Sequence, residues 1–555
     1  MPLVLISGIS GNILKEYGDN MSFTSLAFLL CLLGLTLIYY LVPKKAQWVI
    51  LLIASYAFYI FSGAKAVVYL VGVTAIGYVA GLIMQKMRDG YKKEIAALGE
   101  DADKQLKREI KKKGTEKIKK VQALFVVICL AILIFVKYIN DGISNLNEIF
   151  SLFRYDKNIP YLNLLVPLGI SFFTFASLGY IVDIGRGKYD AEKNFFKYAL
   201  FISFFPSIVQ GPINRFDDVG KQLQQEHKFD YDNFVFGAEL ILWGFFKKLV
   251  IADRVAPIVT TVFSADYLNY SGTEYLFAIV AYGAQIYGDF SGGIDIARGA
   301  AQILGIEMPD NFSRPYFSTS LADFWRRWHI TLGGFMRDYV FYSIMLSKPI
   351  TKVSKFAKKH ISQHMGKTLP SIITSFCVFT LIGVWHGANS KQVAFGLYNA
   401  TVVSLGIALT PVFKWIIEKL KINTENFSYK VFQIVRTFLV ISIARIFPKA
   451  PSFRAALHII KAIFTDIDPD CLFGGSRTIF SLGVDGKNMF VLFIACLVLF
   501  TVSVLQENGL QIRKTLSKQS WVFRWGLLLL LLVAVLVFGV YGPSYSASDF
   551  IYQAY

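Results

Sequence analysis

Three short runs of this sequence hold residues able to do chemistry. The first, Trp385-His386-Gly387-Ala388, closes an apolar run that begins at Ser371. A neutral imidazole accepts a proton near physiological pH, which suits a general base acting on a hydroxyl nucleophile. With a rise of about 1.5 Å per residue, a helix starting at Ser371 carries His386 roughly 22 Å into a bilayer. An ionisable group at that depth is expensive and needs a reason. Proton handling is one reason and a hydrogen bond between helices is another; residue type alone leaves both open. Gly387 lets a substrate or a second helix approach the backbone.

The second run is Ser320-Leu321-Ala322-Asp323-Phe324-Trp325-Arg326-Arg327-Trp328-His329. Ser320 followed by Asp323 has the form of a capping box that opens a helix. Trp325, Trp328 and Leu332 then fall on one face of that helix. Arg326 and Arg327 flank the face, and Arg337-Asp338 follows. Basic groups beside aromatics suit a phosphate-bearing acyl donor, and equally suit an interfacial belt. His329 is a second group for proton handling or substrate orientation. The third run, Tyr287 to Arg298, sets Asp289 and Asp295 beside the Ser291-Gly292-Gly293 break. The i, i+3 spacing pairs Asp295 with Arg298. No zinc spacing, phosphate loop or nucleophile elbow accompanies these runs, so no metal is expected.

The elements that must position these groups are membrane helices. Of the 555 residues, 54% are hydrophobic and only 17% charged, against about 25% charged in a soluble domain. Such a chain is neither disordered nor able to solvate a globular surface. Its five cysteines, Cys31, Cys129, Cys377, Cys471 and Cys496, read as small buried hydrophobes rather than a disulfide framework. Apolar runs near 24–42, 46–62, 66–85, 121–138, 161–182, 194–211, 234–252, 274–290, 371–388, 392–411, 431–447, 486–505 and 523–542 have about the length of a span or half-span. The first lacks the basic flank and cleavage site of a signal peptide and is read as retained.

A formal charge of +19 accompanies this apolar composition. In a soluble protein that excess would raise nucleic acid as a partner; here the charges lie between apolar runs, which points to a lipid surface instead. Residues 86–120 hold thirteen Lys and Arg against seven acidic residues and read as a helical arm broken at Gly99 and Gly114. Lys44, Lys45, Lys348, Lys352, Lys355, Lys358, Lys359, Arg513, Lys514 and Lys518 mark further basic loops. The positive-inside rule places these loops in the cytoplasm and the N-terminus outside. A single integral membrane domain, 1–555, is the simplest partition, with its core at about 160–410. Residues 453–464 form an amphipathic stretch suited to an interface.

Taken in order, these runs resemble the membrane-bound O-acyltransferase family, in particular the bacterial branch that includes the alginate O-acetyltransferase membrane subunit. Further matching segments are Ala54-Ser55-Tyr56-Ala57-Phe58-Tyr59, Pro167-Leu168-Gly169-Ile170-Ser171-Phe172-Phe173, Gly244-Phe245-Phe246-Lys247-Lys248, Asn311-Phe312 with Pro315-Tyr316, and the closing Phe550-Ile551-Tyr552. The resemblance implies an all-α polytopic protein of about 11–13 spans or half-spans, arranged as a ring of tilted helices around a central tunnel. It makes His386 the catalytic histidine and His329 the second conserved histidine of the branch. Asp289, Asp323, Arg326, Arg327, Arg337, Asp338 and Trp385 become substrate-binding positions. The chain departs from the branch after Tyr339 and after Ile446, which bears on acceptor and partner rather than on the reaction.

The expected activity is acyl transfer in the plasma membrane of a bacterium. Acetyl-CoA, or another acyl thioester, is the expected donor on the cytoplasmic side, with no permanently bound cofactor. The expected acceptor is a cell-surface glycan or an extracytoplasmic serine hydrolase-like acyltransferase. Two rivals stand beside it: D-alanyl transfer from a carrier-protein thioester toward teichoic acid, and a non-catalytic glycan or lipid transporter.

Overall fold

The structure is a computed structural model and describes residues 22–153, 158–164, 166–264, 266–472, 478–541 and 550. Ile551 and Tyr552 of the closing motif lie outside the described residues. Among those residues the secondary structure is helical, apart from an isolated antiparallel bridge between Phe312 and Trp328. The protein is an all-α polytopic membrane protein. Among the described residues six helices are long and apolar enough to cross a membrane, or seven if one bent pair counts as a span. Two compact units emerge, residues 1–241 with 296–309, and residues 242–295 with 310–555.

The first unit holds α1 (Leu26–Leu41), α2 (Gln47–Gly63), α3 (Val67–Ala97), α4 (Lys104–Leu152), α5 (Ile170–Arg186), α6 (Phe195–Ser203) and most of α7 (Tyr231–Phe245). The basic arm is the hairpin where α3 meets α4. Gly99 turns it in the left-handed region at φ 76°, a conformation that glycine adopts without a steric cost. Gly114 breaks nothing, contrary to expectation. It lies inside α4, where an added Cβ would fall 2.4 Å from the Tyr91 ring, so its smallness lets the hairpin close. Two of the apolar runs are interrupted. The 161–182 run becomes helical only at Ile170, after Pro167 and the left-handed Gly169. The 194–211 run stops at Phe204, because Pro206 has no amide proton to continue the helix.

The second unit contains α8 (Asp253–Val262), most of α9 (Gly272–Ile303), α10 (Leu321–Arg327), α11 (Ile330–Phe335), α12 (Lys348–His360), α13 (Gln363–His386), α14 (Ser390–Ala408), α15 (Thr410–Lys419), α16 (Phe427–Lys449), α17 (Phe453–Thr465), α18 (Gly486–Glu507) and α19 (Trp521–Phe538). The 234–252 run is a helix only to Phe245 and then widens into a π-helix, Phe246–Ala252. A second π-helix spans Met336–Phe341. Such wide turns are often found at functional sites. α14 and α15 meet at a 54° bend. α17 buries Ala455, Ala456, Ile459 and Ala462 and exposes Leu457 and Phe464, the two faces expected of the 453–464 stretch.

Candidate active site

His386 is the last residue of α13, and its position depends on how closely α13 packs on α14. Gly383 and Gly396 make that packing possible. A Cβ on Gly383 would sit 2.6 Å from the Gln392 carbonyl oxygen and 2.8 Å from the Gly396 Cα. A Cβ on Gly396 would meet the Phe379 carbonyl oxygen at 2.7 Å. Small residues at such a crossing bring two membrane helices backbone to backbone. The chain then leaves α13 through Gly387, and Asn389 caps α14 by accepting from the Gln392 amide at 3.1 Å. The half-buried His386 ring sits edge-on to Phe395, with centroids 6.1 Å apart, and 4.6 Å from Trp385.

His329 is positioned by different means. Ser320 caps α10 by accepting from the Asp323 amide at 3.1 Å, as the capping pattern implies. The helix ends at Arg327, however, and His329 itself adopts φ 48°. Leu332 therefore belongs to α11, and the single continuous face expected for Trp325, Trp328 and Leu332 is broken. The turn is held by Asn311, which sequence reading did not single out as a site residue. Its backbone oxygen accepts from the Ile330 amide at 3.0 Å. Its Oδ1 accepts from the Thr331 amide at 3.0 Å and the Thr331 hydroxyl at 2.9 Å, and lies 3.2 Å from His329 Nδ1. Because Oδ1 is an acceptor, Nδ1 carries the proton, and Nε2 is the acceptor end of the ring. Burial pushes the His329 pKa down to about 3, so the ring stays neutral at physiological pH.

His329 and His386 line the same cavity, of about 500 Å³. Arg326 and Arg337 line it too, with largely solvent-exposed side chains (75% and 62%). Aromatic rings make much of its wall, among them Phe324, Trp325, Trp328 and Phe395. Trp325 is fixed by donating to the Oδ1 of the fully buried Asn399 at 3.3 Å.

The other expected substrate-binding residues are not among those lining the cavity. Asp323 receives Arg327 at 3.2 Å and Arg326 at 3.6 Å, and Arg327 also reaches Glu507 at 3.0 Å. Asp338 takes the Arg337 Nε at 2.9 Å. Trp385 is buried, its ring 6.5 Å from that of His329. Asp289 belongs to a buried knot of charge: Lys248 Nζ lies 2.7 Å from Asp289 and 2.9 Å from Asp253. Beside it, Lys247 donates to Asp295 at 2.7 Å and to Ser291 at 2.8 Å. Asp295, expected to pair with Arg298, is thus held by a lysine 48 positions earlier. The signal for these pairings was present as two lysines inside an apolar run, with no indication of which carboxylates they meet.

Comparison with known proteins identifies the family. The sequence profile of the membrane-bound O-acyltransferase family matches residues 190–352, a stretch that includes His329 and stops short of His386. The protein named "Probable alginate O-acetylase AlgI" of Pseudomonas aeruginosa is 31% identical over 448 residues, covering 80% of this chain and 75% of that one. The peptidoglycan O-acetyltransferase of Helicobacter pylori is 27% identical over 453 residues, covering 76% and 74%. The teichoic acid D-alanyltransferase of Bacillus subtilis is 32% identical over 247 residues, covering 44% and 60%. With an apolar helical scaffold, a two-histidine cavity and relatives of this extent, the chain belongs to the membrane-bound O-acyltransferase family and is an acyltransferase.

Proposed function

We propose that this acyltransferase moves an acetyl group from acetyl-CoA in the cytoplasm to a hydroxyl on the outer side of the plasma membrane. The observation that carries the reading is the cavity shared by His386 and His329, which runs along the second half of a 24-residue apolar helix from Ser375 to His386 at its far end. The near end of that helix follows the lysine-rich α12, which the positive-inside rule assigns to the cytoplasm. Twenty-four residues span about 36 Å, enough to set His386 across the hydrocarbon from those lysines.

In this reading the donor phosphates rest near the exposed Arg326 and Arg337, and the thioester lies against the aromatic wall. His386 takes the proton from the acceptor hydroxyl as its oxygen attacks the thioester carbonyl carbon. The C–S bond breaks, an ester forms, and the CoA thiolate leaves and is protonated. His329, neutral with Nε2 as acceptor, holds a donor group of a substrate in place. The acceptor is a surface polysaccharide or a relay serine on an extracytoplasmic acyltransferase; the relatives named for alginate and peptidoglycan support a surface polymer at the end of the route. The teichoic acid relative supports a second reading, in which the thioester is a D-alanyl group on a carrier protein.

The test is transfer of labelled acetyl from acetyl-CoA by the purified protein, run beside a D-alanyl carrier protein as competing donor. A general base contributes about 10²–10⁴-fold, so His386→Ala is expected to lose that much transfer with an unchanged unfolding temperature. Wild-type transfer by a folded His386→Ala protein defeats the assignment, and transfer from the carrier alone replaces the donor.

A further inference from the structure

Arg445 lies inside α16 as the single charged residue between Thr437 and Pro448. It lines the His386 cavity and is 4% exposed. Its guanidinium packs among three rings, with its central carbon 5.2 Å from the Tyr316 centroid, 5.6 Å from Phe324 and 5.0 Å from Trp328. Among the described residues no carboxylate pairs with it, and Nη1 and Nη2 make no well-aligned hydrogen bond. The Tyr316 hydroxyl beside them donates to the Gly283 carbonyl at 2.5 Å, and its oxygen can take at most a strained bond from the guanidinium, which leaves the other donors without an acceptor. Gly283 keeps the space open, since a Cβ there would fall 3.2 Å from Nη1.

A buried guanidinium needs more than aromatic faces. Ring quadrupoles attract the cation but leave its in-plane N–H donors unsatisfied. Arginine donors are also arranged to meet a planar or tetrahedral oxyanion two at a time. The location of the site indicates which substrate supplies that anion. α13 and α16 run the same way, with α14 returning between them, and Lys391 at the start of α14 donates to the Ala450 carbonyl just past α16 at 2.9 Å. His386, Lys391, Arg445 and Lys449 therefore gather at one end of these helices, opposite the lysine-rich α12. Lys391 and Lys449 are close enough to repel each other, which adds further positive charge at this end.

We propose that Arg445 is the anion subsite of the acceptor: it holds a carboxylate or phosphate carried by the same molecule whose hydroxyl is presented to His386. The inference rests on the acyl-transfer reading only in naming that molecule the acceptor. The test is equilibrium binding, which needs no turnover, so failure of the transfer chemistry leaves it readable. The full-length protein in lipid nanodiscs is titrated with a uronic acid trisaccharide, its carboxyl-reduced counterpart, a hexose phosphate, and coenzyme A.

The wild type is expected to bind the uronate or the hexose phosphate at least about tenfold more tightly than the neutral sugar; which of the two binds names the source of the anion. Arg445→Met is expected to erase that preference while leaving coenzyme A binding within about twofold, and Arg445→Lys, which keeps charge without the fork, to retain part of it. Should Arg445→Met not fold, Arg445→Lys with the charged and neutral ligands decides the matter. No preference for anions in the wild type overturns the proposal. So does a preference that survives in Arg445→Met, or a loss confined to coenzyme A.

Discussion

The second unit contains two groups of buried charge, and they are built in opposite ways. Around Lys247 and Lys248 every cation has a carboxylate within 3 Å: Asp253, Asp289 and Asp295 are all taken up internally. Around His386 the buried cation, Arg445, has aromatic rings and an open cavity in place of a counter-ion. Both groups bear a desolvation cost, but the first offsets it within the protein and the second leaves donors aimed at a ligand. The difference separates charge that holds the scaffold from charge available to a substrate, a distinction that residue types in sequence do not make.

The contrast can be broken in graded steps. Lys248→Met removes the shared cation and leaves two buried carboxylates, and breaking such a pair typically costs about 3–5 kcal/mol. Thermal unfolding in nanodiscs is expected to fall steeply, with acyl transfer lost in proportion to folded protein. Normal stability with lost transfer would instead move Asp289 back among the substrate-binding residues.

Gly383→Val acts one step away from the chemistry. Forcing side-chain volume into a close crossing costs about 1–3 kcal/mol, and the displaced α13 end is expected to lower kcat more than it raises donor KM. Unchanged kcat would show that His386 does not depend on that crossing.

The smallest effect concerns pH. His329 binds its proton near pH 3 when folded and near 6.5 when unfolded. Between those values the unfolded chain holds a proton that the folded chain does not. Its contribution is complete above about pH 6.5 and is lost as pH falls toward 3, at about 1.4 kcal/mol per unit. Unfolding midpoints at pH 7 and pH 5 are expected to converge in His329→Gln relative to wild type. An identical acid shift in both proteins would place the sensitivity elsewhere.

The elements that sequence reading recovered are those governed by local rules. Long apolar runs became α3, α4, α13, α16, α18 and α19, the Ser320 cap formed, and the amphipathic α17 folded where its pattern placed it. His386 and His329 line one cavity, a juxtaposition that their separate runs in the sequence do not announce. What escaped was set by partners distant in sequence. Asn311 is an ordinary polar residue until the chain returns to bring His329 against it. Gly383 and Gly396 are two small residues among many until α13 and α14 cross. Arg445 is not singled out in sequence, because neither its burial nor its ring of aromatics is legible from its neighbours in α16. The Arg326-Arg327 doublet divides for the same reason: Arg327 meets Glu507 from α18, far along the chain, while Arg326 stays at the cavity.

The α3–α4 hairpin has a mechanical consequence. Gly77 and Gly81 let α3 lie directly on the rings of Tyr198 and Tyr180, where a side chain would collide. From Gly81 to Ala97 the helix continues for about 24 Å. Past that contact the helix is held again, by Gln85 accepting from the Ala191 amide at 3.3 Å and by the buried Arg88 donating to the Tyr189 carbonyl at 3.4 Å. A load on the basic tip therefore meets these polar contacts to the 187–194 loop before it reaches the two tyrosines.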